Sequence, residues 1–219
     1  MNTVSTASPV IAFIGGGNMA SAIIGGLIGQ GQSADRIVVV EPFEAARDAL
    51  RTNFGITAHA DAAAAASALD GAGIVVWAVK PQTFKEAAQA VAPHTAQALH
   101  LSVAAGIPTD AIAQWLGTGR IVRAMPNTPA QVGKGISGAV AYDITETDRR
   151  VADALLGAAG QVIWFESEDK LDAVTAVSGS GPAYVFYMVE ALALAGINQG
   201  LEPGQAMQLA RQTVIGAAA

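Results

Sequence analysis

The sequence contains no cysteine, which excludes disulfides, thiolate metal sites and a catalytic thiol and suits a reducing cytoplasm. Charge is thin as well: only 14% of the 219 residues are Asp, Glu, Lys or Arg, and the formal net charge is −6. With 12 basic residues against 18 acidic ones, there is no positive stripe for a nucleic acid. An anionic ligand must therefore be held locally, by helix N-termini and backbone amides. The three histidines, His59, His94 and His100, stand far apart without ligand spacing, so no metal site is expected. Long apolar runs are also missing. The strongest, Ala183 to Ile197, is broken by Glu190 and is short for a bilayer. The first nine residues are polar and carry no positive charge, unlike a secretory signal. The expectation is a soluble cytoplasmic protein with neither a nucleic-acid nor a membrane partner.

What the chain does have is alternation. The short apolar run Val10 to Ile14 ends in three glycines, and Ala20, Ile23, Ile24, Leu27 and Ile28 follow at helical spacing. Strand-like runs recur at Ile37 to Val40, Ile74 to Val79, Leu99 to Val103, Ile121 to Ala124, Ile136 to Tyr142 and Val162 to Phe165. Between them lie helical patterns, among them an alanine-rich one from Ala62 to Leu69 and one from Thr83 to Val91. Thr109 reads as an N-cap, and Thr145 to Asp148 as a capping box opening a helix to Leu156. Such alternation predicts an α/β fold with a doubly wound, mostly parallel sheet.

Beyond Glu166 the pattern is helical only: Lys170 to Val177, a long segment from Pro182, and another from Gly204 onward. The boundaries drawn are 1–165 for a dinucleotide-binding domain and 166–219 for a helical domain. About fifty residues of apolar helix do not close a core alone. A second subunit, a longer chain, or both are expected to cover them.

Gly15-Gly16-Gly17-Asn18-Met19-Ala20 fits the G-x-G-x-x-A fingerprint. Gly15 permits the tight turn, Gly17 lets the backbone approach a pyrophosphate, and Ala20 lets helix and strand pack closely. The helix start adds amide donors and partial positive charge. Glu41 ends the next strand, where a carboxylate reads the adenosine ribose and disfavours a 2′-phosphate. Two alternatives stay open there: Glu41 as a solvated residue beside Pro42, and Arg47 as the partner of a phosphate. The cofactor is NADP or NAD.

Three more stretches put special residues at strand ends or domain joins: Ala78-Val-Lys-Pro81, Arg123-Ala-Met-Pro-Asn-Thr-Pro129 and Ser178-Gly-Ser-Gly-Pro-Ala-Tyr184. Together with Phe13 to Met19 and Ser102-Val-Ala-Ala-Gly106, they resemble the pyrroline-5-carboxylate reductase family, bacterial type, in family order over essentially the whole chain. The resemblance implies a Rossmann-type domain followed by an all-helical dimerisation domain whose helices interleave between subunits. It implies NADPH- or NADH-dependent reduction of 1-pyrroline-5-carboxylate to L-proline by hydride transfer to the C=N bond, with a homodimer or larger as the working unit. Carried over by motif, Ile14, Gly15, Gly16, Gly17, Asn18 and Met19 hold the pyrophosphate. Ala78, Val79, Lys80, Pro81, Val103, Ala104 and Ala105 line the cofactor cleft, Glu41 faces the ribose, and Glu168 lies near the substrate. The family also has a Ser/Gly/Thr-rich loop that binds the substrate carboxylate. It lies beyond the last residue here, so the chain is expected to lack the C-terminal part.

The chemistry asks little of side chains, because the dinucleotide supplies the hydride and a protonated imine is already electrophilic. No residue is assigned as general acid. Lys80 reads either as a charged group in the site or as a solvated lysine with backbone contacts. Asn127 and Thr128 read as carboxamide donors or turn caps, and Ser178 and Ser180 as shapers of a glycine turn that cap the Pro182 helix. Tyr184, Phe186, Tyr187 and Met188 read as packing or interface. The competing classes are another Rossmann imine or hydroxyacid reductase, and a dinucleotide-binding module without turnover. The absence of lysine between Pro182 and Gly200 counts against the hydroxyacid class.

Overall fold

The computed structural model describes residues 9–218. The reading of the extreme N-terminus therefore concerns residues outside the described ones except for Pro9, and Ala219 lies outside them too. Strands β1 (Val10–Ile14), β2 (Ile37–Val40), β3 (Ala58–His59), β4 (Ala72–Trp77), β5 (Leu99–Ser102) and β6 (Ile121–Met125) run parallel. Strand β7 (Gly135–Tyr142) is antiparallel to β6, and β8 (Gly160–Phe165) is parallel to β7. They form one eight-stranded sheet in the order β3-β2-β1-β4-β5-β6-β7-β8.

Period-two alternation within apolar strands explains the two-sided core. Ile11 and Phe13 enter one cluster while Ala12 and Ile14 enter the other, so β1 is buried on both faces. Helices α1 (Asn18–Gly29) and α2 (Glu44–Phe54) cover the first face. Helices α3 (Ala66–Leu69), α4 (Pro81–Val91) and α5 (Thr109–Leu116) cover the second. Helix α6 (Glu146–Gly157) returns to the first face through Ala152, Leu155 and Leu156.

The expected capping box is present at α6. The Thr145 hydroxyl accepts from the Asp148 amide at 3.2 Å, and the Asp148 carboxylate accepts from the Thr145 amide at 3.0 Å. Asp148 also takes both arms of Arg120, whose Nε donates to it at 3.0 Å. These donors, Arg120 first and Thr145 after it, hold the Asp148 carboxyl below its ordinary 3.8, at about 2. A depressed carboxyl contributes stability above its unfolded value, and that contribution is lost as the pH falls towards the folded one. Asp148→Asn is expected to lower stability at neutral pH by about 2 kcal/mol, from a weakened cap and a lost ion pair. It should also flatten the loss of stability between about pH 4 and 2. Urea titrations across that range check both; identical slopes in the variant and the parent would discount the network.

Four local expectations are corrected. Only Ala66–Leu69 of the alanine-rich stretch is α-helical, because the Asp61 carboxylate accepts from the Ala64 amide at 2.8 Å and holds the preceding residues as a turn. Strand β4 ends at Trp77 rather than Val79, since its neighbour β1 turns away at Gly15. Thr109 is the first helical residue of α5, not its cap; Pro108 takes the N-cap position and has no hydroxyl to offer. Ser178 to Gly181 form no glycine turn. Helix α7 (Lys170–Val174) passes through a π-helical run, Thr175–Gly179, into α8 (Gly181–Asn198) as one helix. The Thr175 hydroxyl donates to the Leu171 carbonyl at 2.8 Å and the Ser178 hydroxyl to the Val174 carbonyl at 3.0 Å, back-bonds that accompany the departure from α geometry.

The last helix, α9 (Pro203–Ala217), packs against α8 through Ala193, Ala206 and Ala210. The large side chains Tyr184, Phe186, Tyr187, Leu194, Leu209 and Ile215 stay exposed. The continuous helix Lys170–Asn198 is long and apolar enough, by length and composition, to cross a membrane, which the shorter stretch read from the sequence is not.

Candidate active site

In a parallel sheet the ligand crevice lies outside the carboxyl ends of the strands, at the switch point where strand order reverses. Here that point is β1, flanked by β2 and β4. The loops leaving these strands are tied to each other by backbone hydrogen bonds. The Gly15 amide donates to the Val40 carbonyl and the Ala78 amide to the Ile14 carbonyl, both at 2.8 Å, and the Val103 amide donates to the Trp77 carbonyl at 3.0 Å. Four motif segments are thereby brought to one rim: Ile14 to Met19, Glu41, Ala78 to Pro81, and Val103 to Ala105.

The glycine turn has the shape the fingerprint requires. Gly15 has a φ of +96°, and a Cβ built on it would lie 2.6 Å from the Ala78 carbonyl oxygen. Gly17 is different: its φ is −72° and a Cβ there would meet nothing within 4 Å. Gly17 is the N-cap of α1, so the free amides of the first turn open onto that space. Asn18 is exposed, Met19 half-buried, and Ala20 fully buried under the turn. Exposed amides at a helix start beside open space fit the pyrophosphate of a dinucleotide.

Glu41 is not a solvated residue beside a proline. It is buried, its Oε2 accepts from the Gly16 amide at 2.8 Å, and its Oε1 accepts from the Phe43 amide at 2.9 Å. The carboxylate therefore joins the loop after β2 to the glycine turn. Arg47 sits on the same loop from outside, where its Nη1 donates to the Glu41 carbonyl at 2.9 Å and the Pro42 carbonyl at 2.6 Å.

Lys80 is exposed at the N-cap of α4, with Pro81 as the first helical residue. Its carbonyl accepts from the Thr83 amide and hydroxyl. Ala104 is buried and donates its amide to the Ser102 hydroxyl at 3.3 Å, while Ala105 is exposed at the rim. Behind this loop, Trp77 Nε1 donates to His100 Nδ1 at 3.1 Å, so His100 carries its proton on Nε2, which faces the Thr95 carbonyl at 3.2 Å. Burial pulls the His100 pKa down to about 4, which keeps the pair neutral. Among the described residues no group of three His, Cys, Asp or Glu could hold a metal ion.

The far end of the crevice is built from residues distant in sequence. Glu168, between β8 and α7, accepts from the Thr109 amide at 2.9 Å and the Thr109 hydroxyl at 3.0 Å, and pairs with Arg123 of β6 at 2.5 Å. The carboxylate thus satisfies the N-terminus of α5 in place of a local cap. Asn127 donates from Nδ2 to the Ser178 carbonyl at 3.2 Å and accepts from the Ile136 amide at 2.9 Å. It joins the β6 loop, β7 and the π-helical run. Neither connection announces itself locally; an acidic residue in a linker and an Asn after a proline were the visible signals.

Known proteins match both halves of the chain. Residues 10–106 match a family model described as NADP oxidoreductase coenzyme F420-dependent, and residues 168–219 match one described as pyrroline-5-carboxylate reductase dimerisation. A pyrroline-5-carboxylate reductase of Pseudomonas aeruginosa is 43% identical over 214 residues, covering 96% of this chain and 77% of that protein. The solved structure of a pyrroline-5-carboxylate reductase from Coxiella burnetii is similar with a TM-score of 0.88 and 38% identity, covering 97% of this chain and 79% of the other. A Plasmodium falciparum pyrroline carboxylate reductase, solved with NADP bound, is similar with a TM-score of 0.83 at 25% identity, covering 96% of this chain and 78% of the other.

Proposed function

The chain belongs to the pyrroline-5-carboxylate reductase family, and from that premise we propose that it reduces 1-pyrroline-5-carboxylate to L-proline with NADPH or NADH. The observation that carries the reading is the open α1 amide end at Gly17, set at the switch point of the sheet, in a chain whose helical part matches a reductase dimerisation segment. The dinucleotide, when bound, supplies the hydride that reduces the C=N bond. The chain's own contribution is binding and alignment. Ile14 to Met19 hold the pyrophosphate, Glu41 takes the ribose, and Ala78 to Pro81 with Val103 to Ala105 form the walls of the cleft. Bringing donor and acceptor into one dry geometry does most of the work of such a reaction.

Glu168 belongs to the substrate side of this proposal, as a positioning residue. Its carboxylate is committed to Thr109 and Arg123, so it acts by fixing the linker, β6 and α5 against one another. Glu168→Gln is expected to weaken the Arg123 pair, lower stability by about 1–2 kcal/mol, and raise the KM for the imine several-fold. Binding of the dinucleotide should not change. Denaturant titration and steady-state kinetics check this; an unchanged KM with unchanged stability would remove Glu168 from the site.

The domain division belongs to the same proposal: residues 1–165 bind the dinucleotide, and 166–219 associate with a second copy. The exposed apolar side chains of α8 and α9 and the dimerisation match support a homodimer or larger, and a cytoplasmic location, suggested by the cysteine-free sequence, belongs to the same proposal. In that reading the long apolar helix faces protein, not lipid. Sedimentation at micromolar concentration should show a dimer or larger, and a monomer there would overturn this part.

The experiment for the function is direct: nicotinamide oxidation followed by absorbance with 1-pyrroline-5-carboxylate, using NADPH and NADH in parallel. Substrate-dependent oxidation with L-proline as product supports the proposal. Folded protein that binds dinucleotide but turns over neither cofactor would reduce it to a binding module or a reductase of another imine.

A further inference from the structure

Phe43 is 73% exposed, whereas Phe13 and Phe84 of the same domain are fully buried. An uncovered aromatic ring forgoes one of the larger favourable terms available to a side chain, so its position calls for a reason. That position is two residues past Glu41, and the chain there is held firmly. The Phe43 amide is fixed by Glu41 Oε1, and its backbone is extended at φ −83° and ψ 120°. Arg47 clasps the carbonyls of the two preceding residues, Glu41 and Pro42, from the outside. Pro42 narrows the remaining freedom of the loop. The ring is therefore presented from a preformed loop, beside the carboxylate that reads the adenosine ribose.

Even with the bend at Pro42, the two residues lie no more than roughly 6–7 Å apart, close to the span between a ribose hydroxyl and the face of its base. A purine attached to a ribose held at Glu41 thus comes within reach of a residue at position 43. Purines and phenyl rings stack without needing hydrogen bonds, which suits a ring with no polar atoms of its own. We infer that Phe43 is the stacking platform for the adenine of the dinucleotide, setting affinity for the adenosine half of the cofactor while leaving the nicotinamide end untouched. The inference rests on the dinucleotide reading of the glycine turn.

The test uses ADP-ribose, which carries the adenosine and pyrophosphate but no nicotinamide. It is titrated by calorimetry into the parent protein, Phe43→Ala and Phe43→Trp, with NADH titrated into the parent and thermal melting as the control for folding. Phe43→Ala should bind ADP-ribose about tenfold more weakly at an unchanged melting temperature, and Phe43→Trp should restore parental affinity. Equal affinity in Phe43→Ala and the parent overturns the inference. So does a loss that Phe43→Trp fails to restore, or a change of oligomeric state at constant affinity, which would assign the ring to an interface. A parent protein that binds neither ADP-ribose nor NADH overturns the dinucleotide reading itself.

Discussion

With alanine at position 15, NADH binding is expected to fall by roughly ten- to a hundredfold. Gly15 holds a φ of +96°, and its missing Cβ would lie 2.6 Å from the Ala78 oxygen and 2.8 Å from the Ala78 carbon. Both are backbone atoms, so no side chain can swing away to make room. Either the glycine turn or the loop after β4 must move, and both line the same rim. The strain is about 1–3 kcal/mol, and misaligned amides lose affinity at a factor of ten for every 1.4 kcal/mol or so. Gly17→Ala provides the contrast. Its φ of −72° accepts an L-residue and its surroundings are open, so folding should be unaffected. The added methyl nonetheless occupies the open space proposed for the pyrophosphate. Fluorescence titration with NADH beside thermal melting separates the two cases: Gly15→Ala loses binding and stability, Gly17→Ala loses binding alone. Parental affinity in Gly15→Ala would mean that the cofactor does not sit on this turn.

The second large effect concerns cofactor choice. Glu41 is a buried carboxylate anchored by the amides of Gly16 and Phe43, at the position proposed for the adenosine ribose. A 2′-phosphate brought there meets a fixed like charge, and such juxtapositions are unfavourable by several kcal/mol. The parent enzyme is expected to favour NADH. Glu41→Ser should then shift the ratio of kcat/KM for NADPH over NADH by about a hundredfold towards NADPH. Part of the shift will come from weaker NADH binding, since the ribose loses its carboxylate acceptor, whereas loss of the Gly16 brace weakens both cofactors alike. Parallel initial-rate measurements decide the matter. A ratio that stays within a few-fold of the parent would take cofactor selection away from Glu41.

Much of this arrangement was legible in the sequence because it depends on local pattern. The glycine turn, the alternating apolar runs and the capping box at Thr145 each involve residues only a few positions apart. What was not legible depends on distant contacts. An apolar run such as Ile136 to Tyr142 reads the same in either direction, so the antiparallel pairing of β7 with β6 could not be told from its residues. Ser178 to Pro182 looked like a turn because glycine, serine and proline usually punctuate structure. The helix persists there in π form, with the Thr175 and Ser178 hydroxyls turned back onto it and Asn127 holding the Ser178 carbonyl from the loop after β6. The N-terminus of α5 is satisfied by Glu168 from 59 residues away, beyond the range of any local capping rule. Motif spacing singled out Glu41, but its burial depends on the amides of Gly16 and Phe43, which only the folded loop brings together.

The π-helical run Thr175–Gly179 also fixes an azimuth. Each α-helical residue advances about 100° around the axis, and a π turn accommodates roughly one residue more than an α turn. Everything after Gly179 is therefore rotated by about a quarter-turn from where an uninterrupted α-helix would carry it. Ser178 stays locked to Asn127 beside the crevice, while Tyr184 and Tyr187 keep the bearing that this offset gives them. The five residues work as a phase shifter in a rigid rod. They fix the angle between the part of the helix that flanks the crevice and the aromatic stripe further along, and one residue fewer would swing that stripe round while leaving the helix content almost unchanged.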